Sequence, residues 1–277
     1  MAAKVVLVTG CSAGGIGFSL CEEFAARQCI VYATARNTDK MKGLTQPNIH
    51  PLSMDVNSDE DVRRVVETII SEQGKIDIVV NNAGVACHGP TLEISSEDVR
   101  EAFETNVFAI LRTCKTVLPH MAARKQGLFV NIGSVVGNIP TPWAGIYAST
   151  KAAVHSITQT LQMECRPFNI DVMLVATGGV KSNIASNYMT KFELRPDSLY
   201  KAYLNNILGR IASSQTAGSM STDVFARGVV NAALARKPRF YLTLGAASWT
   251  FKLFEWLPRL LVLNILWRRL SAGVKLR

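Results

Sequence analysis

A chain of 277 residues with 48% hydrophobic and 18% charged residues has the composition of one globular body and is too apolar to remain disordered. Its formal net charge of +9 is spread along the chain without arginine-aromatic clustering, so nucleic acid is excluded as a partner and an anionic cofactor or a membrane surface accounts for the charge better. The six cysteines (Cys11, Cys21, Cys29, Cys87, Cys114 and Cys165) form no C-x-x-C pair and no N-glycosylation sequon occurs, which argues against a disulfide framework and for reduced thiols in the cytosol. No metal site is expected.

The chain starts Met1-Ala2-Ala3-Lys4 and enters Val5 to Val8 at once, too short an apolar run for a signal peptide before Gly10 interrupts it. It reads as a first strand. Ile30 to Thr34, Ile49 to Met54, Ile76 to Val80, Leu128 to Ile132 and Ile170 to Val175 bring the strand candidates to six, with helical patterns between them. Near-continuous apolar strands joined by crossover helices predict a doubly wound parallel sheet of Rossmann type, α/β, with helices on both faces. Residues 1–243 are expected to form this single domain and residues 244–277 an apolar, amphipathic extension.

After the first strand comes Thr9-Gly10-Cys11-Ser12-Ala13-Gly14-Gly15-Ile16-Gly17, then a helical pattern from Phe18 to Arg27. Glycines here let the backbone turn tightly and approach a pyrophosphate, whose charge sits at the helix N-terminus; Gly10, Ser12, Gly15, Ile16 and Gly17 are the candidate contacts. The same stretch contains Gly10-Cys11-Ser12-Ala13-Gly14, a match to the Gly-x-Ser-x-Gly nucleophile elbow, and offers a rival hydrolase with Ser12 as nucleophile. Only one strand precedes Ser12, and His50, His88, His120 and His155 lack an evident acidic partner, so the elbow is the weaker reading.

The second strand ends at Arg36, where a carboxylate would accept from the ribose 2′-hydroxyl of NAD; a guanidinium instead pairs with a 2′-phosphate, predicting NADPH/NADP+. Asp55 follows the third strand, placed either to cap a helix or to accept from an adenine amino group. Ser58, with Asp59, Glu60 and Asp61 behind it, opens the next helix. Asn81-Asn82-Ala83-Gly84 follows the fourth strand, where Asn82 can tie strand ends together and Gly84 allows a close cofactor approach. Ser95 and Ser96 begin a long helix expected to reach Arg124; within it Asn106 reads, on its own, as a kinking or packing residue.

Ser134 ends the fifth strand, and Tyr147-Ala148-Ser149-Thr150-Lys151 opens a helix expected to run to about Arg166. Tyr147 and Lys151 are four apart and share a helical face, so an ammonium there would favour the phenolate of a group that normally titrates near 10. Taken in order, Thr9-Gly10, Gly15-Ile16-Gly17, Asn81-Asn82-Ala83-Gly84, Asn106, Ser134 and Tyr147-x-x-x-Lys151 resemble the classical short-chain dehydrogenases/reductases over nearly the whole chain. The resemblance implies an NADP(H)-dependent oxidoreductase with Tyr147 as general acid/base, Ser134 orienting a carbonyl, Lys151 tuning Tyr147 and bonding the nicotinamide ribose, and Asn106 supporting a proton relay. Two departures stand out. The glycine loop is one residue longer than the family pattern, which leaves open which of Cys11, Ser12, Ala13 and Gly14 meets phosphate, and the family's Pro-Gly after the sixth strand is Thr177-Gly178-Gly179-Val180. The Val180 backbone and Ser182 hydroxyl remain available to the nicotinamide carboxamide.

The Thr-Gly-Gly-Val variant, the longer loop and the apolar tail are similar to fungal 1-acyldihydroxyacetone-phosphate reductases, and the Tyr32-to-Arg36 strand end is similar to retinol and hydroxysteroid dehydrogenases, which would work in the oxidative direction. Both imply a lipophilic small-molecule substrate. Weak periodicity over residues 182–220 suits a flap over it. From Trp249 the apolar run is broken by Lys252, Glu255, Pro258, Arg259 and Asn264, too often for a spanning helix. Tryptophans beside basic residues suit a segment lying in a membrane interface, at the cytosolic face of the endoplasmic reticulum or a lipid droplet. Packing over the active site or in a homo-oligomer is the competing reading, and otherwise the protein is cytoplasmic.

Overall fold

In the computed structural model, which describes residues 3–274, seven parallel strands form one sheet in the order β3-β2-β1-β4-β5-β6-β7. The strands are β1 (Val5–Thr9), β2 (Ile30–Ala35), β3 (Ile49–Ser53), β4 (Ile78–Asn81), β5 (Gly127–Ile132), β6 (Ile170–Thr177) and β7 (Tyr241–Leu244). Helices α1 (Ile16–Ala26), α2 (Asp59–Gln73), α3 (Ser96–Phe103), α4 (Ala109–Arg124), α5 (Gly145–Glu164), α6 (Asn183–Met189), α7 (Leu204–Ile211), α8 (Thr222–Ala233), α9 (Ser248–Phe254) and α10 (Arg259–Leu270) surround it. Strand order reverses between β1 and β4, which opens a crevice at the carboxyl ends of those two strands. Met1 and Ala2, and the last three residues of the tail, lie outside the described residues.

Each face of the sheet carries its own core. On one side Leu20, Phe24, Phe225 and Val229 of α1 and α8 pack over Val6, Val8 and Val31; on the other Val62, Val66, Val117 and Val154 of α2, α4 and α5 cover Leu7, Val79 and Phe129. Ser58 caps α2 by accepting from the Asp61 N–H at 3.2 Å, and Ser95 caps α3 by accepting from Asp98 N–H at 3.0 Å.

Three elements differ from the sequence reading. The seventh strand, β7, is too short and too polar-flanked to show a period, and it exists because Tyr241 to Leu244 pair with Leu174 to Thr177. The helix expected from Ser95 to Arg124 is interrupted by a single π-turn, Glu104–Phe108, that separates α3 from α4. The weakly periodic flap contains two short helices, α6 and α7, whose apolar faces meet the domain through a separate aromatic cluster rather than through the main core.

Helices α9 and α10 close over the carboxyl end of β5. Val262 and Leu266 of α10 are buried against Ile139, and Phe251 of α9 packs with Val135, Val136 and Tyr147. The outward side is different in kind: Trp249 is 80% exposed, Leu260 72% and Trp256 85%. No helix among the described residues is long and apolar enough to cross a membrane.

Candidate active site

The crevice is written first in main-chain geometry. Gly10 sits at φ +74°, and a Cβ there would stand 2.8 Å from Ala83 Cα; a Cβ on Gly17 would stand 2.5 Å from Gly10 O. Neither position holds a side chain without moving backbone. The α1 N-terminus has no capping side chain, so its first amides face the crevice as an anion site. Within the long loop, Cys11 N–H donates to Thr34 O at 2.9 Å and Ala13 N–H to Lys40 O at 2.8 Å. Those two amides are committed to holding the loop against β2. Gly15 N–H returns to Ser12 O at 3.1 Å, and Ser12 has no histidine bonded to it among the described residues.

Buried amide side chains fix the strand ends. Asn82 Nδ2 donates to Thr9 O at 2.8 Å and Gly10 O at 3.1 Å, while Thr9 Oγ1 accepts from Asn82 N–H and Ala83 N–H. Asn81 bonds Asn131, and Asn131 bonds Thr158 of α5. Thr9 was quoted from sequence only as part of the glycine motif, and Asn131 was not singled out. Arg36 is exposed at the end of β2 with no acidic partner among the described residues, and Asp55 Oδ1 accepts from Asn57 N–H at 2.9 Å beyond β3. Gly84 lies against Asn106, whose Oδ1 would be 3.1 Å from a Cβ there.

Asn106 occupies the π-turn and is wholly buried. Its amide accepts from Val85 N–H at 2.8 Å and donates to Val85 O and to Thr150 Oγ1, which in turn donates to Tyr147 O at 2.7 Å. It therefore joins the loop after β4 to the turn of α5 that carries Tyr147. Ser134, at the end of β5, donates to Thr177 O at 3.2 Å and lies beside the Tyr147 phenol. Thr177 stands where the family pattern has proline, and its Oγ1 is buried without a partner.

Lys151 is buried and donates to Ile132 O at 2.8 Å, with Nζ 5.8 Å from the Tyr147 ring centre. Burial lowers its ammonium to about 8. Burial likewise raises the Tyr147 phenol above its ordinary value, opposed by the Arg210 charge and the Ser134 hydroxyl. Desolvation outweighs these two, so the phenol is raised overall.

A string of bonds reaches Ser134 from the tail. Glu255, just after α9, accepts from Asn138 Nδ2, Asn138 Oδ1 meets His155 Nδ1 at 2.8 Å, and His155 Nε2 accepts from Ser134 N–H at 3.3 Å. Val180 forms an isolated bridge with Met220, in which Lys181 N–H donates to Met220 O and Met220 N–H to Gly179 O. Val180's own N–H and C=O therefore point the opposite way. Ser182 caps α6 in position but makes no side-chain cap bond, and Asn183 reaches back from α6 to Ala13 O and Gly14 O.

Above Tyr147 lies a second layer that the sequence reading passed over. His88 stacks against Tyr147 with ring centres 5.5 Å apart, and Tyr188 donates to His88 O at 2.6 Å. Trp143, at φ +65°, packs on Tyr200, Tyr203 and Trp267 and donates to Leu270 O at 3.1 Å. Arg210 of α7 completes this layer. The available signal was the stripe Tyr203, Ile207, Arg210 and Ile211, an inward apolar face interrupted by one cation.

A strand, a glycine turn that closes on a helix N-terminus, and a Ser-Tyr-Lys cluster at the switch point define a dinucleotide-dependent oxidoreductase. Residues 4–192 match the short chain dehydrogenase family, and the chain belongs to it. Over 263 residues it is 36% identical to the short-chain dehydrogenase PC-15 of Penicillium crustosum, covering 94% of this chain and 96% of that one. It is 34% identical over 211 residues to the NADPH-dependent 1-acyldihydroxyacetone phosphate reductase of Schizosaccharomyces pombe, covering 75% and 71%. A crystal structure of a short-chain dehydrogenase from Streptomyces avermitilis superposes with a TM-score of 0.81 at 28% identity, over 100% of both chains. The hydrolase alternative falls with these findings, because the family is one of oxidoreductases and Ser12 has no histidine bonded to it among the described residues.

Proposed function

We propose that this protein is an NADPH-dependent reductase of a carbonyl on a lipophilic substrate, with Tyr147 as proton donor. One observation carries the reading: the half-buried Tyr147 phenol lies beside Ser134 and against the His88 ring, with Lys151 one turn along α5, at the end of the crevice that the glycine loop opens. The unfilled cradle at Gly10 and Gly17 and the free α1 N-terminus fit a dinucleotide, and Arg36 fits its 2′-phosphate. Gly15, Ile16, Asp55, Asn82, Gly84, Val180 and Ser182 line the rest of that seat. NADPH, when bound, supplies the hydride.

The chain's own residues handle the proton. Ser134 hydroxyl donates to the carbonyl oxygen and fixes its direction; Tyr147 then gives that oxygen its proton. The phenolate left behind is stabilised by Lys151 and Arg210, and Asn106 with Thr150 holds the α5 turn in register for reprotonation. In the reductive direction the proton passes from Tyr147 to the substrate oxygen. The S. pombe relative is a reductase by name, in agreement with this direction.

The tail belongs to the same reading. The exposed Trp249, Leu253, Trp256 and Leu260, with Lys252, Arg268 and Arg269 near them, support seating at a lipid interface from which substrate enters beneath α10. The test of the function is NADPH oxidation, followed by absorbance, with a panel of hydrophobic ketones. NADPH consumption with ketones of increasing chain length supports it. Tight NADPH binding with no ketone consumed, or preference for NADH, overturns it.

A further inference from the structure

The helix that carries Tyr147 grips the end of β5 at two points. Tyr147, Lys151 and His155 are spaced by four along α5 and share one face. Lys151 Nζ donates to Ile132 O at 2.8 Å, and a little further along the chain Ser134 N–H donates to His155 Nε2 at 3.3 Å. The imidazole is only 4% exposed, and the main chain is shaped to admit it: a Cβ on Gly133 would stand 2.6 Å from Nε2 and one on Gly137 2.9 Å from it. Ser134 is thus tied to the same helix as the phenol beside it.

Each proton of the string has its place fixed from Ser134 outward. A main-chain N–H only donates, so His155 Nε2 holds a lone pair and Nδ1 carries the proton. Nδ1–H then donates to Asn138 Oδ1 at 2.8 Å, which turns the Asn138 amide nitrogen outward, to Tyr241 Oη at 2.7 Å and to the Glu255 carboxylate. Arg259 Nη1 closes the network on Asn138 O at 2.9 Å. Burial and the Lys151 charge hold His155 down at about 4, so it stays neutral, as this arrangement requires.

The tail reaches the same segment by an apolar route. Phe251 packs on Val135 and Val136, and Val262 and Leu266 pack on Ile139, so the turn that follows Ser134 is held by α9 and α10. A buried imidazole costs desolvation that an apolar side chain at this place would avoid; what the fully bonded string supplies instead is direction. Bonds of this kind behind a functional side chain hold it in its working geometry.

We propose that His155 is a positioning residue for carbonyl reduction, holding Ser134 at a fixed place relative to Tyr147, and that Asn138, with Glu255 and Arg259 of the seated tail, keeps the imidazole in the required tautomer. This rests on the reductase reading of the site. It goes further in giving the inward side of the tail a part in the reaction.

Three measurements test it: NADPH-dependent turnover of methyl octyl ketone, NADPH affinity by fluorescence titration, and hydrogen exchange at the Ser134 amide followed by NMR. Asn138→Ala should lower kcat about 10-fold, the upper range for one hydrogen bond, with NADPH affinity within about twofold of wild type. The outer end of the string opens on a cleft of about 460 Å³, where water competes for the same groups. Glu255→Ala should therefore cost less, about 3-fold in kcat, and Glu255→Gln, whose amide oxygen still accepts, should recover most of that loss. His155→Phe should match or exceed Asn138→Ala; if it does not fold, the substitutions at half-buried Asn138 and exposed Glu255 carry the test. Exchange at the Ser134 amide should quicken in the same order, while that of Val130 in mid-strand stays slow. Full kcat in Asn138→Ala and Glu255→Ala overturns the proposal. So does a Glu255→Gln protein as slow as Glu255→Ala, or a fall in kcat matched by an equal loss of NADPH affinity, which would mark a general loosening of the fold. If the wild type reduces no ketone of the panel, the reductase reading falls, and amide exchange alone decides the coupling. Quickened exchange in Asn138→Ala then keeps the tail's hold on Ser134, and unchanged exchange overturns it.

Discussion

The two layers of this site are built by different means. Below Tyr147 the crevice is made of backbone: glycines that leave no room for a Cβ, amides at the α1 N-terminus, and Asn82, Asn81 and Asn131 tying strand ends through buried bonds. Above Tyr147 the cap is made of side chains on short helices, Trp143, Tyr188, Tyr203, Arg210 and Trp267, held by ring contacts and a few bonds to loop carbonyls. A backbone-built seat accepts little variation, since changing one side chain does not re-aim an amide. The cap can be rewritten residue by residue without disturbing the sheet. On the proposed function, the reaction belongs to the lower layer and the choice of substrate to the upper one.

The sharpest way to break that division is at the boundary between the layers. Tyr147→Phe keeps the ring against His88 and removes only the transferable proton, so turnover should fall by about a thousandfold or more while NADPH affinity measured by fluorescence titration stays within about twofold. Substantial activity in a folded Tyr147→Phe protein would move the proton donor elsewhere. Next in size is a change confined to the lower layer. Arg36→Asp places a carboxylate where a 2′-phosphate would sit, and the NADPH-to-NADH ratio of kcat/KM should drop about 100-fold, with the choice among ketones unaltered. A shift in ketone preference would show that the layers are not separable.

How much could be read from the chain follows the same line. The doubly wound parallel sheet and the places of Gly10, Gly17, Asn82, Ser134, Tyr147 and Lys151 were legible because strand periodicity, glycine spacing and an i,i+4 pair are local patterns. Strand β7 was not, since four residues gain their state only by pairing with β6. The π-turn at Asn106 was read as a kink, and its cause, the bonds to Val85 and Thr150, spans distant segments. The i,i+4 lysine beside Tyr147 is visible in sequence, whereas the desolvation that raises the phenol comes from the fold. Arg210 and His88 were passed over because nothing near them in the chain marks them; only the folding of α7 over the β4 and β5 loops brings them to Tyr147.

The tail tests the outer limit of the cap. Val262 and Leu266 face inward while Trp249 and Trp256 face out, so the inward stripe should serve fold stability and the outward one association. Trp249→Ser with Trp256→Ser should weaken binding to vesicles containing anionic lipid by about 10- to 100-fold, from the apolar area no longer buried, with melting temperature and activity on a water-soluble ketone preserved. Flotation at low and high salt measures it. Wild-type protein that never floats would leave the outward tryptophans to a protein partner and remove the lipid interface.

The smallest effect expected concerns Lys151, which joins the layers through charge. Its ammonium titrates at about 8 in the folded protein because burial removes water from it. As pH rises through that value the charge that stabilises the Tyr147 phenolate is lost, so kcat for reduction should fall about tenfold by pH 9 relative to its plateau near pH 7. Stability moves the other way. The unfolded chain keeps this lysine protonated up to its ordinary value of 10.5, and therefore binds more protons than the native state between about 8 and 10.5; the contribution of this group to stability rises with pH across that window. Falling rate with a melting temperature not lowered by Lys151 distinguishes loss of its charge from loss of fold. Lys151→Arg, charged throughout, should flatten the alkaline limb even where its plateau rate is lower. A limb that stays near pH 8 in that variant belongs to another group, and Lys151 would then be a tether for the Ile132 carbonyl alone.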